Sequence, residues 1–184
     1  KYTQPAIFIY SAILDYILKD NNIFPDAVAG HSLGEITALN SNKCLNFENA
    51  LLLIKNRAQC MYNEGIKKPG KMIAVIDRKR NRIEELLKKE KNICIANYNS
   101  PKQFIISGAK NKIEDFIKIA KKEGIKRIIP LKVSGAFHSH LMNDSRNKLS
   151  NIINSIKFNQ SKIPIYQNFD PIKKSIPEEI KNNL

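Results

Sequence analysis

Apolar residues recur at helical spacing in several stretches of the chain, and short apolar runs separate these stretches. Apolar positions three or four residues apart indicate a helix, whereas short apolar runs bounded by turn residues indicate strands. The first part of the chain therefore predicts a helix at 4–20, a strand at 25–29, a sharp turn with a helix to residue 39, and a helix at 47–63. Asn46 is a suitable N-cap for the last helix, and Gly65 is its predicted stop signal.

From residue 70 onward the pattern alternates between strands and amphipathic helices. The predicted order is βαββαβ, with strands at 71–76, 93–97, 103–107 and 127–133 and helices at 81–91 and 112–122. This order is typical of the ferredoxin-like split βαβ arrangement. A helix at 142–156, an extended segment at 162–168 and a helix start near Pro177 follow. Pro164 favours an edge strand for the extended segment, because proline cannot donate to a strand ladder.

These elements predict an α/β protein with two parts. The first is an α/β-hydrolase-like core formed by residues 1–69 and 131–184. The second is an inserted ferredoxin-like (βαββαβ) subdomain at 70–130.

Composition narrows the class of protein. The three cysteines of the 184 residues are far apart and form no CxxC or Cys/His pattern, so unpaired, reduced thiols are expected. The longest apolar stretch, residues 6–18, is interrupted by polar residues and is too short to cross a bilayer. The first residues show no signal or transit peptide pattern. We expect a soluble protein without a targeting segment, in a bacterial cytoplasm or a plastid-type organelle.

The formal net charge is +14 at pH 7. Such an excess can indicate an anionic partner such as nucleic acid, a membrane surface or an acidic protein. Here the basic residues are interleaved with acidic ones on polar helix faces, which is typical of a solvated surface. We therefore expect neither nucleic-acid nor membrane binding.

Residues 30–34, Gly-His-Ser-Leu-Gly, match the GxSxG nucleophile elbow, in which a serine sits between a strand and a helix. The two glycines are expected to keep side chains out of a bend where the backbones approach closely. The helix that begins after Ser32 aims unpaired N–H groups at an attacked carbonyl, so the Leu33 N–H is the predicted oxyanion donor. An incidental glycine-rich turn is the alternative, and the apolar strand before the motif favours the elbow.

A serine nucleophile needs a neighbouring base, which is most often histidine. His31 adjoins Ser32 and is expected to pack rather than to catalyse. His138 and His140 lie in an irregular segment of the kind that commonly carries catalytic groups. For an isolated loop histidine, an ordinary surface position also stays open.

An acid that would orient the histidine is not evident. Asp144 resembles a helix-start residue, while Asp26 and Asp170 stay open as candidates. The sequence favours a Ser–His pair whose imidazole is held by a backbone carbonyl or an amide group.

Four segments in order resemble the malonyl-CoA:acyl carrier protein transacylase family, which also supplies acyltransferase domains of fatty-acid and polyketide synthases. They are Gln-Pro-Ala at 4–6, Gly-His-Ser-Leu-Gly-Glu at 30–35, Asn-Tyr-Asn-Ser-Pro-Lys-Gln with Ile-Ser-Gly at 97–108, and Val-Ser-Gly-Ala-Phe-His-Ser-His-Leu-Met at 133–142. The likeness covers nearly all of the chain. The family's opening strand with a Gly-Gln-Gly turn and its closing Gly-Pro-Gly region have no counterpart here, so we expect these residues to be part of the family domain.

The resemblance implies a role for each site residue. Ser32 would carry the acyl group, and His138 would act first as base and then as acid. Arg57 would grip the malonyl carboxylate through two parallel charge-assisted hydrogen bonds, which lysine cannot reproduce. Without the resemblance, an arginine at this helical position would be expected on the surface. Phe137 and Asn97 are further substrate-binding candidates.

The resemblance also implies a reaction, in which a malonyl group moves from malonyl-CoA to the phosphopantetheine thiol of acyl carrier protein. The route runs through a Ser32 ester and serves fatty-acid biosynthesis. No bound cofactor or metal is expected, the protein should be a monomer, and the carrier protein would be acidic. Two alternatives stay open: a serine thioesterase or hydrolase, and a non-catalytic carrier-protein docking fragment.

Overall fold

The computed structural model describes residues 2–88, 90 and 92–184. Its helices are α1 Thr3–Asp20, α2 Leu33–Ser41, α3 Phe47–Lys67, α4 Arg80–Lys88, α5 Lys110–Lys122, α6 Asn143–Ser155 and α7 Pro177–Asn182, with a 3₁₀ turn at His140–Met142. Its strands are β1 Val28–Ala29, β2 Gly70–Ile76, β3 Ile93–Ser100, β4 Gln103–Ala109, β5 Arg127–Pro130, β6 Ile165–Tyr166 and β7 Lys173–Lys174. The chain forms two compact units, the first up to Gln59 together with Lys148–Leu184, and the second Cys60–Asn147.

The first unit contains a small mixed sheet with strand order β1-β6-β7. Strand β1 is parallel to β6, and β6 is antiparallel to β7. Its core contains the fully buried side chains Phe8, Leu39, Leu45, Leu53, Ile54, Ile165 and Ile180. Phe8 also stacks on Phe47, with ring centroids 5.3 Å apart. This apolar core holds β1 and α2, the two elements that flank Ser32.

The prediction of an edge strand at 162–168 is wrong, because β6 lies between β1 and β7. Pro164 precedes the strand instead of interrupting it. Its carbonyl accepts a hydrogen bond from the Val28 N–H at 2.9 Å, so the proline joins the sheet through the one backbone group that it has. Strand β1 is shorter than the predicted 25–29, and β7 was not predicted.

The second unit contains a four-stranded antiparallel sheet with strand order β3-β4-β2-β5. The predicted βαββαβ order of elements is confirmed. Its core is formed by apolar residues of the sheet and of α4 and α5, among them Ile73, Val75, Ile83, Phe104, Ile106, Ile113 and Phe116. The unit extends beyond the predicted 70–130 at both ends. The predicted helix at 81–91 corresponds to α4, and residues 89 and 91 lie outside the described residues.

The prediction that Gly65 ends the third helix is wrong, because α3 continues to Lys67. Gly65 is needed for a close approach of the backbone. A Cβ at this position would lie 2.5 Å from the Ser134 carbonyl oxygen. On this helix Leu52 is exposed, whereas its neighbour Leu53 is fully buried. The Asn46 cap is confirmed, since its Oδ1 accepts from the Asn49 N–H at 2.9 Å.

The cysteines form no disulfide bond, as the sequence predicts. All three cysteines are unpaired, and burial raises the pKa of Cys44 to about 11. Within the described residues, no helix has the length and apolar character needed to cross a membrane.

Candidate active site

Ser32 lies in the turn between β1 and α2 in a strained backbone conformation. Its φ of 54° and ψ of −107° place a non-glycine residue in the positive-φ region. Such residues cost about 1–3 kcal/mol and persist only where their surroundings hold them. A serine in this state is what the nucleophile elbow requires, because the sharp turn lifts the side chain away from the sheet.

Only one of the two motif glycines is required by close packing. A Cβ at Gly30 would lie 2.0 Å from the backbone of Gly34, which no side chain can tolerate. A Cβ at Gly34 would meet nothing within 4 Å. The expectation that both glycines exclude side chains from the bend is therefore wrong for Gly34, because the bend folds Gly30 against Gly34 and leaves the other side open.

Arg57 reaches the serine from the middle of α3. Its Nη2 donates to the Ser32 Oγ at 2.8 Å, and its Nη1 donates to the Gln4 Oε1. The surface position expected for an isolated helical arginine is wrong, since the side chain is partly buried. Burial lowers the pKa of Arg57, and the negative charge of Glu35 opposes this effect. The guanidinium stays charged, because its pKa begins far above neutral pH.

The sequence did not assign a role to Gln4. The sequence feature that could have indicated a role for Gln4 was its polar side chain at the start of an otherwise apolar helix, within the Gln-Pro-Ala motif. In the structure this amide accepts from one arm of the Arg57 guanidinium while the other arm donates to Ser32. Gln4 therefore orients the arginine.

The amide groups around Ser32 are almost all engaged. The Ser32 N–H donates to Asn168, the Gly34 N–H to the His31 carbonyl and the Glu35 N–H to the Ser32 carbonyl. For the Leu33 N–H, the described part of the chain supplies no acceptor. Leu33 is the first residue of α2, where the helix dipole adds positive potential. This arrangement suits a donor to an oxyanion.

Two polar residues that the sequence did not flag support the turn. Glu35 is only 6% exposed, and its carboxylate accepts from the side chains of Gln167 and Asn168. Asn168 also contacts the backbone of Gly30 and Ser32. The sequence signal for this support was the acidic residue directly after the GxSxG motif, because a buried carboxylate needs hydrogen-bond donors around it.

His138 lies in the second unit, in the loop between β5 and the 3₁₀ turn. It has a positive φ of 58°, and its carbonyl accepts from the Cys94 thiol at 3.6 Å. The neighbouring Ser139 stabilises the loop, because its Oγ donates to the Ala136 carbonyl at 2.7 Å and accepts from the Leu141 N–H at 3.3 Å. The side chains of His138 and His140 are exposed.

The candidate site residues as a whole are divided between the two units. Phe137 packs on the buried cluster of Met72, Ala74 and Ile105, and Asn97 lies on β3 beside an irregularity in its pairing with β4. These residues share the second unit with His138, whereas Ser32, Leu33 and Arg57 come together in the first. The pairing of Ser32 with His138 stays a prediction.

The acidic candidates have other partners or exposed positions. Asp144 lies in the first turn of α6, as predicted, and pairs with Lys68 at 2.9 Å. Asp170 pairs with Lys174 at 2.7 Å, and Asp26 is exposed. Among the described residues, no cluster of three or more His, Cys, Asp or Glu side chains could hold a metal ion.

Residues 1–180 match the family described as the acyl transferase domain. The chain belongs to this family. The malonyl CoA-acyl carrier protein transacylase of Staphylococcus aureus (strain MRSA252) is 36% identical to it over 186 residues, which cover 99% of this chain and 60% of that relative. The chain thus spans about three fifths of the length of the curated relatives that it matches.

Solved structures of acyl transferase family members have the same mixed α/β fold. The MCAT of Streptococcus pneumoniae superposes with a TM-score of 0.92 at 34% identity, covering 99% of this chain and 60% of that one. A malonyl-transacylase in complex with its type II PKS acyl-carrier protein superposes with a TM-score of 0.92 at 29% identity, covering 98% of this chain and 60% of that one. These superpositions agree with the mixed α/β fold of the chain.

Proposed function

We propose that this chain is the serine-bearing part of an enzyme that transfers a malonyl group from malonyl-CoA to the phosphopantetheine thiol of an acyl carrier protein. The observation that carries the proposal is the 2.8 Å contact between the Arg57 Nη2 and the Ser32 Oγ. In a malonyl ester on Ser32, the terminal carboxylate is separated from Oγ by only a carbonyl and a methylene. A guanidinium beside Oγ is therefore within reach of that carboxylate.

The proposed reaction has two matched halves. His138 takes the Ser32 proton as Oγ attacks the malonyl thioester, and the Leu33 N–H stabilises the oxyanion. The carbon–sulfur bond then breaks, and His138 returns the proton to the departing coenzyme A thiolate. In the second half His138 takes the proton of the carrier's thiol as its sulfur attacks the Ser32 ester. The ester carbon–oxygen bond then breaks, and His138 returns the proton to the Ser32 Oγ. A covalent intermediate of this kind requires ping-pong kinetics.

Selection of malonyl over acetyl follows from charge. An acetyl group would leave the Arg57 guanidinium with the Gln4 amide and the Ser32 hydroxyl, whereas a malonyl carboxylate offers a charged acceptor for two parallel N–H donors. Gln4 restricts the guanidinium before substrate arrives, which reduces the entropy lost on binding. Phe137 and Asn97 are proposed as further substrate-binding residues.

The names of relatives support the proposed substrates and partner. The Staphylococcus aureus relative is a malonyl CoA-acyl carrier protein transacylase, and one structural neighbour is a malonyl-transacylase bound to its carrier protein. The net charge of +14 would steer an acidic carrier protein toward the enzyme. We propose fatty-acid biosynthesis as the pathway, a monomer as the active form, and no bound cofactor.

The proposed fold names rest on topology. The strand, turn and helix around Ser32 support an α/β-hydrolase-like core in the first unit. The βαββαβ order with all-antiparallel pairing in the order β3-β4-β2-β5 supports a ferredoxin-like subdomain in the second.

Intact-mass analysis of the full-length protein mixed with malonyl-CoA tests the proposal. We expect one malonyl group per molecule, located on Ser32 by peptide mapping, and none on Ser32→Ala. An adduct that persists on Ser32→Ala would show that another residue is the nucleophile. Steady release of malonate without a thiol acceptor would indicate a hydrolase, and carrier binding without acylation would indicate a docking fragment.

A further inference from the structure

Asn168 contacts both arms of the Ser32 turn with a single side-chain amide. Its Oδ1 accepts from the Ser32 N–H at 3.0 Å, and its Nδ2 donates to the Gly30 carbonyl at 2.7 Å. These two backbone groups lie on either side of His31, so the amide spans the bend. Because Ser32 has a positive φ, the turn requires support of this kind from outside itself.

Glu35 determines which way the Asn168 amide points. Its Oε2 accepts from both the backbone N–H and the Nδ2 of Asn168, and its Oε1 accepts from the Gln167 Nε2 at 3.0 Å. An ionised carboxylate can only accept hydrogen bonds. The donor end of the amide must therefore face Glu35 and Gly30, which leaves Oδ1 for the Ser32 N–H.

We propose that Asn168, oriented by the buried Glu35, is a positioning residue that holds Ser32 in the strained conformation from which its hydroxyl reacts. This inference rests on the proposed role of Ser32 as the nucleophile. Asn168 is itself exposed, so its hydrogen bonds compete with water and contribute little to the stability of the whole unit. Its loss should therefore change the turn far more than the fold.

Two substitutions at Asn168 separate the contribution of its donor group from that of the whole side-chain amide. Asn168→Ala removes both hydrogen bonds to the turn. Asn168→Asp keeps the side-chain volume but replaces the donor by an oxygen that faces the Glu35 carboxylate, so like charges meet where a hydrogen bond stood. Asn168→Ala removes the acceptor of the Ser32 N–H. Asn168→Asp keeps an acceptor oxygen, but its second oxygen faces the Glu35 carboxylate and the Gly30 carbonyl, so repulsion should move the side chain away from the turn.

Asn42→Asp is the matched control. Asn42 lies in the same unit and also uses both ends of its amide, donating to the Ile163 carbonyl at 3.1 Å and accepting from the Cys44 N–H at 3.0 Å. It is only 2% exposed, so its substitution should lower the melting temperature more than substitution of Asn168. Its bonds do not involve the Ser32 turn.

Two readouts follow Ser32 itself. The first is hydrogen exchange of the Ser32 amide by NMR. The second is the rate of phosphonylation by a fluorophosphonate, in which Oγ bonds to phosphorus, fluoride leaves and the hydroxyl proton is released. In both Asn168 variants we expect amide exchange to rise and labelling to fall by about tenfold or more, the effect of losing one structural hydrogen bond. In Asn42→Asp both rates should stay within about twofold of wild type.

Folded Asn168 variants with wild-type amide exchange and labelling would overturn the inference. If Asn168→Asp fails to fold, Glu35→Gln tests the same inference. This substitution keeps the side-chain volume but turns one hydrogen-bond acceptor of Asn168 into a donor. Unchanged exchange of the Ser32 amide in Glu35→Gln would also overturn the inference.

The same experiment separates this inference from the proposed function. If wild-type protein labels with the fluorophosphonate but forms no malonyl ester, the proposed function fails and the Asn168 comparison still stands. If Asn168 variants form the malonyl ester at the wild-type rate, the function stands and the positioning role fails.

Discussion

The Arg57 guanidinium donates a hydrogen bond to the Ser32 hydroxyl oxygen at 2.8 Å. These residues lie 25 positions apart in the chain, on α3 and in the turn before α2. A fixed positive charge thus adjoins the serine that we propose as the nucleophile. This contact links the chemistry of the serine to the choice of acyl group.

Arg57→Ala should reduce malonyl loading far more than acetyl loading. Losing charge-assisted hydrogen bonds to the malonyl carboxylate costs about 3 kcal/mol, or roughly a hundredfold in kcat/KM, while acetyl has no carboxylate to lose. Stopped-flow acylation with malonyl-CoA and acetyl-CoA measures the ratio. Lys55→Ala, an exposed cation on the same helix, serves as control. Equal losses with both substrates would remove Arg57 from the carboxylate site.

Gln4→Glu should raise the KM for malonyl-CoA more than Gln4→Leu does. The new carboxylate would pair with the Arg57 guanidinium, whose Nη1 already contacts this position, and would compete with the malonyl carboxylate. We expect about a tenfold rise in KM, as for one charge-assisted hydrogen bond. Steady-state kinetics on the two variants measure it. A lower KM for Gln4→Glu than for Gln4→Leu would show that the residue 4 side chain does not compete for the Arg57 guanidinium.

Gly30→Ala and Gly34→Ala should have opposite effects on stability. At Gly30 the added methyl group would overlap the backbone of Gly34, so the turn must open and the melting temperature should fall. At Gly34 the methyl group meets nothing within 4 Å, and alanine is the better helix former by up to about 1 kcal/mol. Thermal unfolding of both variants compares the two positions. Similar melting temperatures would show that the bend is looser than the structure indicates.

Ser32→Gly should be more stable than Ser32→Ala. Both variants lose the hydroxyl contact with Arg57, so their difference isolates the backbone. Glycine accepts the φ of 54° without strain, and the difference should be about 1 kcal/mol or more in the free energy of unfolding. Urea denaturation of the two variants gives this value. Equal stability would mean that Ser32 is not strained.

Local pattern was enough to predict most of the second unit. The βαββαβ order from β2 to β5 follows from apolar spacing and turn residues, because each element buries one face against the same core. The residues at which helices and strands end were less predictable from the sequence. Helix α3 continues past Gly65, and this glycine instead leaves room for the Ser134 backbone; a contact between residues so distant in sequence has no local signal.

The residues of the candidate site also differ in how far the sequence alone predicts them. The GxSxG spacing by itself predicted Ser32 as the proposed nucleophile and determined the Gly30 requirement, because a sharp strand-to-helix turn restricts residue types within a few positions. The Arg57 contact, the Gln4 partner and the support from Asn168 were decided only by the tertiary structure. Each of these joins residues more than twenty positions apart, and only the packing of the core brings them together.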